Sequence, residues 1–387
     1  MKPRRRGGAV LALAGGLIGS FLTVGALWLG GIFDDDTPAP SSTETTSVVS
    51  VADSTTEVPP GVVTITPIDG NSRVAAVAAK AIPSIVTVEV GDNVSVPAGG
   101  GTELVFHAFA TGSGVVFRSD GYILTNNHVV EDTVITKVVF SDGRKFEAVV
   151  VGTDPLTDIA VLKIEASDLP VIAFADIAEL SIGDEAIAVG SPLGLKGGPS
   201  VTAGVVSAFN RQLDTGPSPN DALYGLLQTD APITLGSSGG ALLNDQAQLI
   251  GITTAIGVSD VGAEGLGFAV PVDMVERLSA DLIADGTVRH AYLGIGVDDA
   301  MIDLDEGAEI PAGAAITGFA SGSTIQLAGA EVGDVIVQIN GTAVNTRFDL
   351  LSILRSYRAG DRIEITVDRS GDEVALTVEL GLRPDDL

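Results

Sequence analysis

The chain has 387 residues, enough for two or more domains at roughly 100–200 residues per domain. It contains no cysteine, which excludes disulfide bonds, cysteine-ligated zinc and thiol catalysis. Its formal net charge is −29, and a surface of that sign repels phosphate backbones, so no nucleic-acid partner is expected. The 48 glycines, the few aromatic residues and the recurring short runs of Val and Ile favour a β-rich fold.

The amino-terminal 33 residues combine a basic end with a long apolar run. Lys2 and three arginines precede residues 9–33, which carry no charge. A helix of that length reaches about 37 Å, enough for a hydrocarbon core of about 30 Å. We predict a cytoplasmic tail over residues 1–8 and a single-pass transmembrane anchor over residues 9–33, with the following domains outside the cytoplasm. A cleaved signal peptide is the alternative, although the run is longer than such peptides have and no Ala-x-Ala site follows.

Residues 34–72 are predicted to be a disordered tether. They contain seven acidic residues and no Lys or Arg, among many Ser, Thr and Pro. Such a composition does not supply enough apolar surface for a packed core.

From residue 73 to about residue 285 the pattern indicates one β-rich domain. Short β-branched runs alternate with turn signals, such as Asp142-Gly143 between residues 138–140 and 146–151. This spacing suggests an antiparallel barrel or sandwich. Residues 272–285 place their apolar side chains on one helical stripe and are predicted to close the domain as a helix.

A second β-rich unit is predicted over residues 286–387. Turn signals at Asn340-Gly341 and Ser370-Gly371-Asp372 flank a helix expected over residues 348–357. The sequence therefore divides into an anchor, a tether and two folded domains.

Three segments of the first domain carry the residue types of nucleophilic catalysis. His128 follows an apolar strand, Asp158 precedes a strand that reads as buried, and Ser238 lies within Gly236-Ser237-Ser238-Gly239-Gly240. The order His, Asp, Ser is that of chymotrypsin-type proteases. A serine hydroxyl needs an imidazole to take its proton, and an aspartate fixes the tautomer of that imidazole. Each segment alone could be a cap or a turn, and their combination predicts a triad.

The glycines around Ser238 predict an oxyanion hole. They let the backbone turn, so that N–H groups of Gly236 and Ser238, with Ser237 between them, can converge on the oxygen that becomes negative during the reaction. This chemistry requires no cofactor and no metal.

These segments resemble the HtrA family of serine proteases. The resemblance runs from about residue 75 to the carboxyl end and rests on five motifs: Gly112-Ser113-Gly114, Thr125-Asn126-Asn127-His128-Val129-Val130, Thr157-Asp158-Ile159-Ala160-Val161-Leu162-Lys163, Gln228-Thr229-Asp230-Ala231 before the serine loop, and Gly267-Phe268-Ala269-Val270-Pro271. Membership implies a mostly β fold, in which a chymotrypsin-like double β-barrel protease domain (residues 73–285) precedes a PDZ domain (residues 286–387).

The chain departs from the family at the approach to the serine. The family usually has Asn-Pro-Gly-Asn-Ser-Gly-Gly, whereas here Leu235 replaces the proline, and the oxyanion loop is expected to disorder more easily. Pro232 and Ile233 supply no negative charge for a basic side chain, so a small or medium aliphatic residue is expected before the cleaved bond. Thr254-Ala255-Ile256 resembles the strand that pairs with substrate, and an ordinary core strand is the alternative reading.

The second domain resembles the PDZ domains of this family. Tyr292-Leu293-Gly294-Ile295 is similar to their carboxylate-binding loop, and residues 333–341 are similar to their central hairpin. A loop of successive N–H groups can hold a peptide carboxylate, and the adjoining strand can pair with the peptide. We expect C-terminal peptides to bind here.

The family also implies partners and regulation. A homotrimer is expected through the amino-terminal part of the protease domain, with Phe106 and Phe109 as candidate contacts. The surface loop predicted over residues 210–220 would relay peptide binding at the PDZ domain to the oxyanion loop. Substrates would be unfolded proteins, for general quality control, or one membrane protein, for signalling. A non-catalytic PDZ adaptor or holdase chaperone is the alternative from another functional class.

Overall fold

The computed structural model describes residues 72–98, 101–191, 198–216, 222–254, 266–303 and 309–384. The predicted tail and anchor lie outside the described residues, as does the tether except for Ser72. None of the described helices is long and apolar enough to cross a bilayer.

The first barrel follows a short helix, α1 (Arg73–Ala81), which begins where Ser72 caps it: the Ser72 hydroxyl accepts a hydrogen bond from the Ala75 N–H at 3.3 Å. The barrel closes in the order β1-β2-β3-β6-β5-β4. Its strands are β1 (Ile85–Ala98), β2 (Gly101–Val116), β3 (Tyr122–Thr125), β4 (Ile135–Phe140), β5 (Lys145–Asp154) and β6 (Ile159–Ile164), and a one-turn helix, α2 (Asn127–Val130), follows β3.

The β1–β2 hairpin is much longer than the apolar run over residues 85–90 indicates. Pairing continues from Ile85 and Val115 to Ala98 and Gly101. The far half of the hairpin carries exposed apolar side chains, including Leu104 and Phe109. This length was not predictable because the distal residues are polar or exposed and show no burial pattern.

The second barrel closes in the order β10-β11-β12-β9-β8-β7. Its strands are β7 (Glu185–Gly190), β8 (Ser200–Asp214), β9 (Ala222–Thr229), β10 (Ala241–Leu243), β11 (Leu249–Thr254) and β12 (Gly267–Pro271). The expectation of a protease-type double barrel is therefore confirmed.

The predicted loop over residues 210–220 is wrong in its first part, because residues 210–214 belong to β8. Arg211 pairs with Leu226, and Asp214 pairs with Ala222, across several register shifts. Cross-strand hydrogen bonds hold this polar segment, and its composition alone does not reveal them. Residues 217–220 lie outside the described residues.

Helix α3 (Val272–Asp285) confirms the predicted helix and connects the barrels through a shared core. Val275, Leu278 and Leu282 are fully buried in a cluster that also contains Leu124 of the first barrel and Ile252 of the second. The helix ends at Gly286, whose φ of +75° favours glycine.

The second domain, over which the sequence predicts a PDZ fold, consists of two sheets and two short helices. Strand β13 (Ala291–Tyr292) pairs with β20 (Gly381–Leu382), and the larger sheet has the order β14-β15-β16-β18-β19, with β17 beside β16. The remaining elements are β14 (Ile295–Asp303), β15 (Glu309–Phe319), α4 (Thr324–Leu327), β16 (Val335–Ile339), β17 (Thr342–Ala343), α5 (Arg347–Leu354), β18 (Arg362–Arg369) and β19 (Asp372–Glu379).

Helix α5 starts and ends earlier than the sequence predicts. Thr346 and Asp349 form a capping box that begins it. After Leu354 the chain tightens, and the Tyr357 N–H donates to the Leu354 carbonyl at 3.1 Å. A turn therefore replaces the last predicted helical turn.

The PDZ domain packs against the protease domain through α5, and all described residues belong to one compact unit. The rings of Tyr224 on β9 and Phe348 on α5 are stacked, with centroids 6.3 Å apart. Arg358 and Asp281 form an ion pair at 2.8 Å across the same junction.

Candidate active site

The structure brings His128 and Asp158 into direct contact. His128 lies in α2, and its Nδ1 is 2.9 Å from both carboxylate oxygens of Asp158. If Nδ1 carries the proton and donates it to the carboxylate, Nε2 is left as the basic nitrogen of the ring. The His128 side chain is 28% exposed and Asp158 only 4%, so the base is accessible while its partner is enclosed.

Asp158 is held through its carboxylate and through its backbone carbonyl. Its carboxylate also accepts hydrogen bonds from the backbone N–H of His128 at 3.0 Å and from the Thr254 hydroxyl at 3.1 Å. Its carbonyl accepts from the Asn126 amide at 2.8 Å. Its φ is +59°, a left-handed conformation that short polar residues tolerate best. This network fixes the carboxylate toward the imidazole.

The loop that carries Ser238 is hydrogen-bonded to β2 and to β11. The Ser238 carbonyl accepts a hydrogen bond from the Ser113 N–H at 2.8 Å, and the Gly239 N–H donates to the Thr253 carbonyl at 2.9 Å. Thr253 precedes Thr254, which binds Asp158. Ser238 is 5% exposed. The three predicted triad residues thus belong to one bonded assembly.

Ser113, within the Gly-Ser-Gly motif of β2, ties the two barrels together at this point. Its hydroxyl donates to the Gly236 carbonyl at 2.7 Å and accepts from the Ser191 N–H at 2.7 Å. Its own carbonyl lies where a Cβ on Gly239 would stand, 2.2 Å away, so only glycine fits at that position. The first barrel therefore positions the serine loop of the second.

The predicted oxyanion segment forms a tight turn. The Ser237 N–H donates to the Thr234 carbonyl at 2.9 Å, and Gly236 has a φ of +86°. With Leu235 at negative φ, this geometry is a type II turn, whose central peptide points opposite to that of a type I turn. The direction of the Gly236 N–H thus depends on a conformation that glycine allows.

The predicted substrate strand is only partly described. Thr254 is the last residue of β11, fully buried, and its hydroxyl is used by Asp158. Ala255 and Ile256 lie outside the described residues. Substrate pairing by this strand stays a prediction.

The predicted PDZ loop has the backbone orientation that carboxylate binding needs. The carbonyls of Leu293 and Gly294 accept hydrogen bonds from the N–H groups of Thr324 and Ala320 at 3.2 and 2.8 Å. Because N–H and C=O point in opposite directions across a trans peptide, the N–H groups of Gly294 and Ile295 face away from residues 320–324. Gly294 has a φ of +74°, and a Cβ there would lie 2.8 Å from the Ser323 backbone.

The sequence did not assign the buried pair of His290 and Asp154. His290 Nε2 is 2.8 Å from Asp154 Oδ1, and both side chains are about 5% exposed. The other oxygen of Asp154 accepts from the Thr157 hydroxyl at 2.5 Å. Thr157 precedes Asp158, so a polar chain links the start of the PDZ domain to the candidate catalytic aspartate.

The sequence offered little to find these supporting residues. Thr254 and Ser113 lie in recognised motifs, but their partners are 96 and 123 positions away along the chain. His290 is one of only three histidines, which is a weak indication of a role. No group of three or more His, Asp or Glu side chains in the described part of the chain is arranged to hold a metal ion.

Comparison with known proteins agrees with both domains. Residues 112–252 match the family described as a trypsin-like peptidase domain, and residues 291–380 match the PDZ domain family. The chain is 38% identical over 281 residues to a probable periplasmic serine endoprotease, DegP-like, of Pseudomonas putida (strain GB-1). It is 39% identical over 287 residues to the periplasmic serine endoprotease DegP of Escherichia coli (strain K12).

These alignments cover 72% and 73% of this chain but 57% and 59% of the two relatives, so the chain spans little more than half of their length. A solved structure, the HtrA-type protease AlgW with a decapeptide, superposes with a TM-score of 0.63 at 31% identity. That match covers 80% of this chain and 99% of the solved one. Because it extends over nearly the whole of a known HtrA-type protease, this chain belongs to the HtrA family of serine-type endopeptidases.

Proposed function

We propose that this chain cleaves unfolded or membrane proteins outside the cytoplasm, with Ser238 as nucleophile, His128 as base and Asp158 as the residue that orients the base. The observation that carries the proposal is the contact of His128 Nδ1 with a buried carboxylate that Thr254 and the His128 N–H also hold. A histidine fixed in this way presents Nε2 for proton transfer, which a cap or core histidine does not need.

The reaction follows from this arrangement. His128 Nε2 takes the Ser238 proton while Oγ attacks the peptide carbonyl, and Asp158 stabilises the imidazolium that forms. N–H groups of the turn at Gly236 stabilise the negative oxygen. His128 then protonates the leaving amine. Water, deprotonated by the same nitrogen, attacks the acyl group and regenerates the serine.

An aliphatic residue before the cleaved bond is supported by the apolar surroundings of Ile233. A Cβ added to Gly267 would lie 2.8 Å from Ile233 Cδ1, so this side chain fills the space above Gly267. An apolar side chain at this position gives no counter-ion to a basic substrate residue. We expect Val or Ala to be preferred over Arg or Lys.

Peptide binding at the PDZ domain is proposed to regulate the protease. The cavity beside residues 292–295 is also lined by Gln212 and Tyr224 of the protease domain, so a bound peptide would contact both domains. The HtrA-type protease AlgW, a relative of this chain, has a solved structure with a decapeptide. Binding can shift the protease only by its differential affinity for the active form; tenfold activation needs about 1.4 kcal/mol.

A membrane anchor over residues 9–33 is proposed from its length and the basic residues before it. The periplasmic location named for the two relatives agrees with catalytic domains outside the cytoplasm. A reporter fused after residue 33 should be active only outside the cytoplasm. Recovery of a soluble mature protein that starts after residue 33 would replace the anchor with a cleaved signal peptide.

The test of catalysis uses a covalent serine probe and casein cleavage. Ser238→Ala and His128→Ala should each abolish labelling and cleavage while the fold is retained, because the triad acts as a unit. Ser356→Ala, at an exposed position on the PDZ domain, is a matched serine control. Undiminished casein cleavage by purified Ser238→Ala would reject the enzyme and leave the adaptor or holdase role.

A further inference from the structure

The cavity beside the PDZ loop is lined by three arginines, two of which have no acidic partner among the described residues. It has a volume of about 780 Å³, within the range of ligand pockets, and lies between residues 292–295, α5 and the protease strand β8. Its charged lining consists of Arg347, Arg355, Arg383 and Asp214. Acidic residues predominate in the whole chain, which has 50 of them and 21 basic residues. In the lining of this cavity basic residues predominate instead, three to one.

Arg355 is the most enclosed of these side chains. It is 9% exposed, and among the described residues its side chain forms neither a hydrogen bond nor an ion pair; its Nε is buried without a partner. Arg383, half-buried, likewise has no side-chain partner in the described part of the chain. Burial lowers the pKa of the Arg355 guanidinium, and the positive charge of Arg383 lowers it further.

Three other arginines of the PDZ domain are paired with acidic residues. Arg347 contacts Asp298 at 3.2 Å, Arg358 contacts Asp281 at 2.8 Å and Arg369 contacts Asp334 at 2.7 Å. A buried cation without a partner is costly, and a neighbouring cation adds to that cost. The one acidic residue of the lining, Asp214, is on the protease side and accepts a hydrogen bond from Gln212 at 2.6 Å. An anion entering between Arg355 and Arg383 would remove the cost.

The direction of α5 places Arg355 at the loop end of the cavity, and Arg383 lies there too, since its backbone N–H donates to the His290 carbonyl at 3.0 Å. The Arg347 N–H, at the start of the helix, donates to Asp299 well inside β14. Beyond the helix end, Arg358 pairs with His290, just before the loop. The eight helical steps from Arg347 to Arg355 cover about 12 Å, roughly the length of four extended residues. A peptide with its carboxyl end at the loop would therefore bring its last residues to Arg355 and Arg383.

We propose that this cavity selects peptides which carry, besides a free C-terminal carboxylate, an acidic side chain within their last two residues. The inference rests on the proposed binding of C-terminal peptides at residues 292–295. The terminal carboxylate is held by the N–H groups of the loop, and the side-chain carboxylate pairs with Arg355 and Arg383. The apolar lining from α5 packs against the rest of the peptide.

The test measures peptide binding by fluorescence anisotropy with the full chain carrying Ser238→Ala, which prevents cleavage. Labelled decapeptides end in Glu or in its neutral isostere Gln, a second pair places Glu or Gln in the penultimate position, and each has an amidated counterpart. At least one Glu peptide should bind roughly 10- to 100-fold more tightly than its Gln partner, the range expected for a charged hydrogen bond.

The arginine variants assign this preference to the cavity. In Arg383→Gln and in Arg355→Gln the Glu-to-Gln ratio should fall to about two or less, with the Gln peptides bound as before. Because Arg383 is half-exposed, Arg383→Gln is expected to fold, and it can test the proposal even if Arg355→Gln does not fold. Arg362→Gln is the matched control, since Arg362 is exposed and paired with Glu379 at 2.9 Å. It should keep the full preference.

Three results would overturn the inference, and they differ in what else they reject. If Glu and Gln peptides bind equally while amidation weakens both, the loop binds C-termini and only the acidic selectivity is wrong. If amidation has no effect on any peptide, both the selectivity and the proposed peptide site are wrong. A Glu preference that persists in both arginine variants would also reject the role of these side chains.

Discussion

Gly236 holds the turn on which the proposed oxyanion hole depends. A residue with a Cβ is strained at its φ of +86°, and relief of that strain reverses the peptide before it. We expect Gly236→Ala to lower kcat by about 10²–10³, the usual cost of one lost oxyanion donor, with a smaller change in KM. Steady-state kinetics on a chromogenic peptide measures both.

The matched control for this substitution is Gly143→Ala. Gly143 has a similar φ of +88° in the turn between β4 and β5, where a Cβ would meet nothing within 4 Å. It carries the same local strain far from the serine loop. Equal loss of kcat in both variants would mean that strain, and not the oxyanion turn, is responsible.

Asp334 links pH to the stability of the PDZ domain. Its buried carboxylate accepts two hydrogen bonds from Arg369 at 2.7 Å, which hold the pKa of Asp334 below its ordinary value. A carboxyl with a lowered folded-state pKa stabilises the fold at pH above its unfolded value of about 3.9, and this contribution is lost as pH falls through the folded-state pKa. Asp334→Asn should therefore be less stable than the wild type at pH 7.

The difference between the two proteins should begin to narrow below about pH 4, where the carboxyl of the unfolded wild type becomes protonated, and it should be lost as pH falls through the folded-state pKa. Urea unfolding at pH 7, 4 and 3 tests this. Asp372→Asn, an exposed residue of the β18–β19 hairpin, should show no such change. A stability difference for Asp334→Asn that stays constant across this range would contradict the ion-pair explanation.

Among individual residues, the sequence predicted the candidate triad but not the residues that hold it in place. Residue type and chain order are enough to propose His128, Asp158 and Ser238. Thr254 and Ser113 each act through a single hydroxyl group. The chain has many serines and threonines, and their residue type alone does not show which of them hold the site. The folded barrels determine which of these hydroxyl groups lies within hydrogen-bond distance of Asp158 or Gly236.

Strand β9 of the protease domain contacts helix α5 of the PDZ domain through the stacked rings of Tyr224 and Phe348. Such a pair contributes about 0.5–1.5 kcal/mol beyond its buried area. We expect Tyr224→Ala to weaken the hold of the protease domain on the helix beside the peptide cavity, and so to change the ratio of peptide-activated to basal kcat/KM. A substrate too short to reach the PDZ domain isolates this effect.

Tyr224→Phe keeps the ring and is the control, so its activation ratio should equal that of the wild type. An unchanged ratio in Tyr224→Ala, with normal peptide affinity, would show that the PDZ domain delivers substrate without regulating the protease.

Elements with strong local patterns were predictable. Helix α3 has an apolar stripe, and the hairpin between β18 and β19 has an unambiguous turn, so both were placed from sequence. The end of β8 was not, because Gln212 and Asp214 are polar and are held in a strand by their partners on β9. Local composition describes a segment on its own, whereas strand pairing depends on a neighbour elsewhere in the chain.

For the whole molecule, the β1–β2 hairpin offers a surface for the proposed trimer. Phe109 is 59% exposed, whereas Phe106 is partly covered by Lys137, whose Nζ lies 4.1 Å from the ring centre. Light scattering of residues 72–387 should give three times the monomer mass, and Phe109→Ser should shift it toward the monomer. Leu327→Ser removes a side chain 85% exposed on the PDZ domain and should leave the mass unchanged. A monomeric wild type would contradict the trimer.

The pair of His290 and Asp154 means that the hydrogen bonds beside the candidate catalytic aspartate do not end where the protease domain does. A fragment cut after Asp285 would keep both barrels and α3, yet it would leave the Asp154 carboxylate without its imidazole, four residues before Asp158. Among the described residues, Thr157 would then be the one side chain that still forms a hydrogen bond with Asp154. The surface that the second domain covers beside Asp154 would be exposed to solvent. The smallest fully active fragment of this chain should therefore extend past His290, and grafting a different peptide-binding domain onto these barrels requires a histidine at the same place.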